Sequence, residues 1–100
     1  MKCKHIILII LLHLFSSVPL LAVEKEINIA EKKEMLVNAK HDSIKCRILN
    51  EIANYYYEKD NDLALEYIHK GLKLAKQNNF TELTGNCFYT LGTIYGSKGN

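Results

Sequence analysis

Two rows of polar side chains repeat the same helical spacing in this chain. Arg47, Asn50, Asn54 and Tyr57 follow one another at steps of three, four and three residues. Asn86, Tyr89, Thr93 and Gly96 take the same steps. Such spacing puts each row on one face of a helix. Side-chain amides carry both a donor and an acceptor, which suits an extended peptide backbone. Tyr57 and Tyr89 add flat aromatic contact area. The chemistry on offer is recognition by hydrogen bonding and stacking. A plainly solvated face has the same composition, because exposed polar residues are the common case.

Other constellations carry less. His41, Cys46, His69 and Cys87 bear metal-capable groups, but the short paired spacings of a zinc site are absent. The chain has no glycine-rich phosphate loop, no zinc-protease helix motif and no nucleophile elbow. Its acidic residues are scattered without an acid–base pair. No catalytic residue, metal or cofactor is expected, and the chain does not read as an enzyme. Asn79-Phe80-Thr81 matches an N-glycosylation site, a pattern that matters only in a eukaryotic secretory pathway.

Charge narrows the partners. The formal net charge is +2, and Lys2 and Lys4 supply all of it. The stretch from Glu24 to Asn100 is balanced, which argues against nucleic acid, since that needs clustered Lys and Arg. Met1 to His5 is a basic head, Ile6 to Val23 an apolar run, and Glu24-Lys25-Glu26 an abrupt polar boundary. These parts describe a secretory signal over residues 1–22, with Ala22 the expected last residue removed. The competing readings are an uncleaved membrane anchor through residues 6–23 and a buried helix; the run is marginal for a span of roughly 20 residues. Cys3 lies too early for a lipid-attached terminus. Of the cysteines after the leader, Cys46 and Cys87 form an even pair that would permit a disulfide in an exported chain. Reduced core cysteines are favoured, because the spacing is not that of a disulfide-rich scaffold.

Beyond Pro19 there is no proline, so nothing forbids long helices. A leading helix is expected over 24–40, with Ile27, Ala30, Met35, Leu36 and Ala39 as a loose apolar stripe. Asp42 or Ser43 can cap a second helix from Ile44 to Lys59, which carries Ile48, Leu49, Ile52, Ala53 and Tyr56 on one face. Asp60-Asn61-Asp62 is a turn and cap. A third helix from Leu63 to Asn78 lines Ala64, Leu65, Ile68, Leu72 and Ala75 along one side. Gln77 to Phe80 is a loop, and Thr81 can cap a fourth helix, with a stop signal from Gly96 to Asn100. Ala53, Ala64 and Gly92 are small where helices must approach closely.

The second and fourth helices repeat each other. Ile52-Ala53-Asn54-Tyr55-Tyr56 aligns with Leu91-Gly92-Thr93-Ile94-Tyr95 at an offset of thirty-nine residues, and Asp60-Asn61 with Gly99-Asn100. A period in this range marks units that bury their apolar faces on one another. In Ile52-Ala53, Tyr56, Asp60-Asn61, Ala64, Ile68 and Gly71, and again in Leu91-Gly92, Tyr95 and Gly99-Asn100, the chain resembles a tetratricopeptide repeat protein. The resemblance covers residues 44–100, one full unit and an incomplete second. It departs from the family in a turn one residue short before Ala64, in a period longer than the common thirty-four, and in stopping within the second turn.

What the resemblance implies is an all-α fold of antiparallel helix hairpins behind the leader. In the family the first helix of each unit lines a concave groove. That implies a partner-binding groove at Arg47, Asn50, Asn54, Tyr57, Asn86, Tyr89 and Thr93, with Asn54 where the family often places an asparagine on bound peptide. The expected function is an exported module for protein–protein contact, the front of a longer protein. The alternative is the extracytoplasmic sensor region of a truncated histidine kinase or transcriptional regulator, whose long-spaced repeat arrays this chain is similar to. Either reading places it across the bacterial inner membrane. The uncovered last helix, with Leu91 and Tyr95, also invites self-association.

Overall fold

The computed structural model describes residues 20–98, and all four of its helices lie there: α1 (Leu20–Asn38), α2 (Asp42–Tyr56), α3 (Asn61–Gln77) and α4 (Thr81–Lys98). No strand occurs among the described residues, so the fold class is all-α. The expected signal or anchor over 1–22 lies almost wholly outside them. Among the described residues no helix is long and apolar enough to cross a membrane. α1 starts at Leu20, ahead of the expected Glu24, and runs through the Ala22 boundary without a break.

The apolar spacing in the sequence becomes the core. Ile48, Leu49, Ile52 and Ala53 of α2 are buried, as are Ala64, Ile68, Leu72 and Ala75 of α3. Ala53, Ala64 and Ile68 are fully inaccessible and join one cluster with Leu72, Cys87 and Ile94. Alanines at both crossing faces let the two backbones close up, and Ile52 and Ile68 fill the space beside them. Burying one such isoleucine contributes about 1.5–3 kcal/mol. A second cluster joins α1 to α2 through Ile29, Ile48 and Ile52, with Leu36 and Ala39 packed on its edge. Met35 is 55% exposed and Ala30 also faces solvent, so the stripe expected on α1 is only partly used. α1 packs mainly on α2, whereas α2, α3 and α4 each touch the other two.

Local chemistry sets the ends of the helices. Asp60 takes an extended conformation, and its side chain accepts from the Leu63 amide at 3.1 Å, a cap for α3. The cap expected from Asp42 or Ser43 does not form. His41 takes the cap position without a side-chain bond, and Asp42 lies inside the first turn of α2. Its carboxylate accepts instead from the Asn78 amide at 3.1 Å, tying the start of α2 to the end of α3. Asn79 has φ of 58°, in the left-handed region. The Phe80 amide then reaches the Ala75 carbonyl at 2.9 Å and the Asn79 amide the Lys76 carbonyl at 3.2 Å. This pair of reversed bonds closes α3 as a Schellman motif, with asparagine in the place that glycine usually takes. Thr81 starts α4 as a helical residue, and the Phe80 carbonyl accepts the first bond from Thr84 at 2.9 Å. The helix runs to Lys98, within the stretch from Gly96 to Asn100 where a stop was expected.

Candidate functional site

α2 and α4 lie side by side on one face of α3. Gly71 of α3 allows this. A Cβ built there would stand 3.3 Å from the Leu49 Cβ and 3.6 Å from the Cys87 Sγ. With only hydrogen at that position, Cys46 of α2 and Cys87 of α4 both settle against the middle of α3. Both cysteines are buried and unbridged. Burial pushes each thiol above its ordinary value, and at Cys46 the neighbouring Cys87 adds to the effect.

The two cysteines lie along a cleft between α2 and α4 with a volume of about 290 Å³. Arg47, Asn50 and Glu51 line it from α2; Glu82, Leu83 and Asn86 line it from α4. Arg47, Glu51, Glu82 and Asn86 are exposed, while Asn50 and Leu83 are half-buried. The Asn50 Oδ1 has no hydrogen-bond partner, and it is the one buried side-chain polar atom in that condition among the described residues. A buried acceptor left unpaired costs about 1–3 kcal/mol, and a donor in the cleft would recover it once the Asn50 side chain turns to expose that oxygen.

Three of the seven residues expected on a groove, Arg47, Asn50 and Asn86, are therefore brought together. The other four are not. The Asn54 amide donates to the Asn50 carbonyl at 3.1 Å and to the Thr90 hydroxyl of α4 at 3.4 Å. Thr90 is 2% exposed, so Asn54 works as a tie between the two helices. Tyr57 is half-buried, and its hydroxyl donates to the Glu58 carboxylate at 2.9 Å, which holds the phenol above its ordinary value. Its carbonyl accepts from the Asn61 amide. Thr93 donates to the Tyr89 carbonyl one turn back at 3.1 Å, and Tyr89 itself stands 80% exposed.

The sequence reading missed Glu51 and Glu82. Glu51 is four residues after Arg47 and Glu82 four before Asn86, so helical spacing alone puts each beside a residue already singled out. Both carboxylates line the cleft with Arg47, and the Lys32 amine of α1 donates to the Glu51 carboxylate, so the charges around the cleft balance.

A larger hollow of about 590 Å³ lies between α1 and α2, lined on its apolar side by Met35, Ala39, Ile44 and Ile48, with Glu31, Glu34 and Lys40 also around it. On the opposite side of α1, the Lys33 amine donates to the Tyr56 hydroxyl at 2.6 Å and lies 5.0 Å from the ring centre. That bond raises the Lys33 pKa above its ordinary value. Among the described residues no three metal-capable side chains cluster. No family model, curated protein or solved structure matches the chain.

Proposed function

We propose that the chain is an exported, non-catalytic helical module that holds a protein or peptide segment in the cleft between α2 and α4. The carrying observation is the unpartnered Asn50 Oδ1 inside a cleft whose other polar groups include Arg47 and Asn86. With the Asn50 side chain turned into the cleft, an extended peptide brings backbone N–H groups for that oxygen and carbonyls for the Asn86 amide and the Arg47 guanidinium. The sequence repeat supports the hairpin-repeat reading, and the basic head with its apolar run supports export. Arg47, Asn50 and Asn86 carry the binding role in this proposal; Asn54 supports them by holding α2 and α4 at their spacing.

A display library of random linear peptides, selected on the immobilised chain, tests it. Peptides selected on the native chain should bind Asn50→Leu and Asn86→Ala at least tenfold more weakly. They should bind Val37→Ala normally, because Val37 is 83% exposed on α1, outside the cleft. Peptides that bind all four proteins equally would place recognition elsewhere.

A further inference from the structure

The outer face of α4 carries a second pattern. Gly85, Phe88, Gly92 and Tyr95 follow at steps of three, four and three, and all four are exposed. Phe88 is 49% and Tyr95 52% exposed. A Cβ built on Gly85 or Gly92 meets nothing within 4 Å, so the notches at the glycines stand open. The buried stripe of the same helix, Cys87, Thr90 and Ile94, faces the other way. At the repeat offset these positions correspond to Cys46, Leu49, Ala53 and Tyr56 of α2, of which the first three are buried. The matching face of α4 is shaped for a helix, and among the described residues none covers it.

The order small, aromatic, small, aromatic selects the occupant. In an antiparallel pair of identical helices, layers form between the two alternating positions of the stripe. Phe88 then meets Gly92 of the second copy, and Tyr95 meets Gly85, twice each about the two-fold. Every layer holds one ring and one notch. A parallel pair would set glycine on glycine and ring on ring, leaving voids and clashes. From Leu83 to Ser97 α4 carries no charged side chain; the Lys76 amine of α3 lies 5.0 Å from the Phe88 ring centre and swings aside when a second copy seats there. Glu82 and Lys98 mark opposite ends of the helix, and the antiparallel arrangement puts the acidic end of one copy level with the basic end of the other. Phe88, Tyr95 and the flanking Tyr89 leave roughly 400 Å² exposed per copy, on the order of 800 Å² for a pair, the size of a weak interface.

We propose that α4 is a homodimer interface, packing antiparallel on α4 of a second copy with Phe88 seated over Gly92. Such an interface is isologous and closes on itself, so it ends at two chains.

Four proteins of this sequence test it by sedimentation over roughly 1–200 μM: the native chain, Gly92→Phe, Phe88→Gly, and the double exchange. Any association through residues 6–23 is common to all four and cancels. Circular dichroism checks that helix content is kept. The native chain should form dimers. Gly92→Phe sets ring on ring, Phe88→Gly sets notch on notch, and each should weaken the dimer at least tenfold. The double exchange restores one ring and one notch per layer and should recover most of the affinity. A native chain that stays monomeric throughout overturns the proposal and leaves the face to a helix of another origin. A dimer indifferent to the single changes, or one that fails to return in the double exchange, overturns it as well.

Discussion

The thiol of Cys46 on α2 lies 3.7 Å from the carbonyl oxygen of Gly71 on α3. The same glycine lets Cys87 of α4 close from the other side. Three helices converge on one residue without a side chain, and the cleft above it owes its width to that convergence.

Gly71→Ala should therefore destabilise the fold. Alanine gains about 1 kcal/mol of helix propensity over glycine. The new methyl stands 3.3 Å from the Leu49 Cβ, an atom fixed to a buried backbone that cannot swing aside. Overpacking of this kind costs about 1–3 kcal/mol. The expected net loss is about 1 kcal/mol, a fall of several degrees in Tm by circular dichroism. Gly96→Ala is the control of opposite sign. Its methyl meets nothing within 4 Å, so propensity acts alone and the melt should rise.

Asn79 should respond to the left-handed region alone. Glycine there has no Cβ penalty, so Asn79→Gly should be neutral or stabilising by a few tenths of a kcal/mol. Asn79→Val places a branched side chain at φ of 58° and should cost about 1–2 kcal/mol. Chemical denaturation of the three proteins would reveal the ordering; equal midpoints would mean that the turn relaxes.

The two thiols make stability fall in alkali. Burial raises both above their ordinary value of 9.0. The folded chain then holds its thiol protons more tightly than the unfolded chain does. This contribution is fully present below pH 9.0 and is lost as pH rises through the folded values. Lys33, held protonated by Tyr56, acts in the same direction from above 10.5. The thiol part is isolated by Cys46→Ala with Cys87→Ala, which should flatten the decline that begins near pH 9. A double variant with an unchanged slope would assign the whole effect to Lys33 and Tyr57.

The helices were legible because their cores are spaced at three and four residues. Ile48, Ile52, Ala64, Ile68 and Ala75 were all expected inside and are. Ends were less legible where local signals compete. Asp42 has a capping side chain, but Asn78 claims it from thirty-six residues away. Asn54 shows the limit most clearly. Its type and row suggested a ligand contact, and the bond that uses it instead, to Thr90, crosses two helices and leaves no trace in local spacing. Asn50, one turn earlier, keeps the unpaired oxygen. Residues of one row thus split between holding the frame and facing the cleft, according to contacts that only the packing of α4 decides.

Neighbouring residues on α4 give the last test. Ile94 is fully buried in the cluster with Ala64 and Ile68, while Tyr95, the next residue, is 52% exposed. Ile94→Ala leaves a cavity among side chains that cannot collapse into it, at a cost of about 2–5 kcal/mol. Total stability for a chain of this size is about 5–15 kcal/mol, so this change alone should lower the denaturation midpoint sharply. Tyr95→Ala removes a ring that faces solvent in the single copy and should cost under about 0.5 kcal/mol at concentrations too low for pairing. At high concentration the same change removes one ring from each of two layers of the α4 pair. Its apparent destabilisation should then grow with protein concentration, because whatever binds only the folded form stabilises it by mass action. Midpoints of the native chain and Tyr95→Ala, measured at both ends of the range, separate the readings. A gap that widens with concentration belongs to an interface, and a constant gap belongs to packing within one chain.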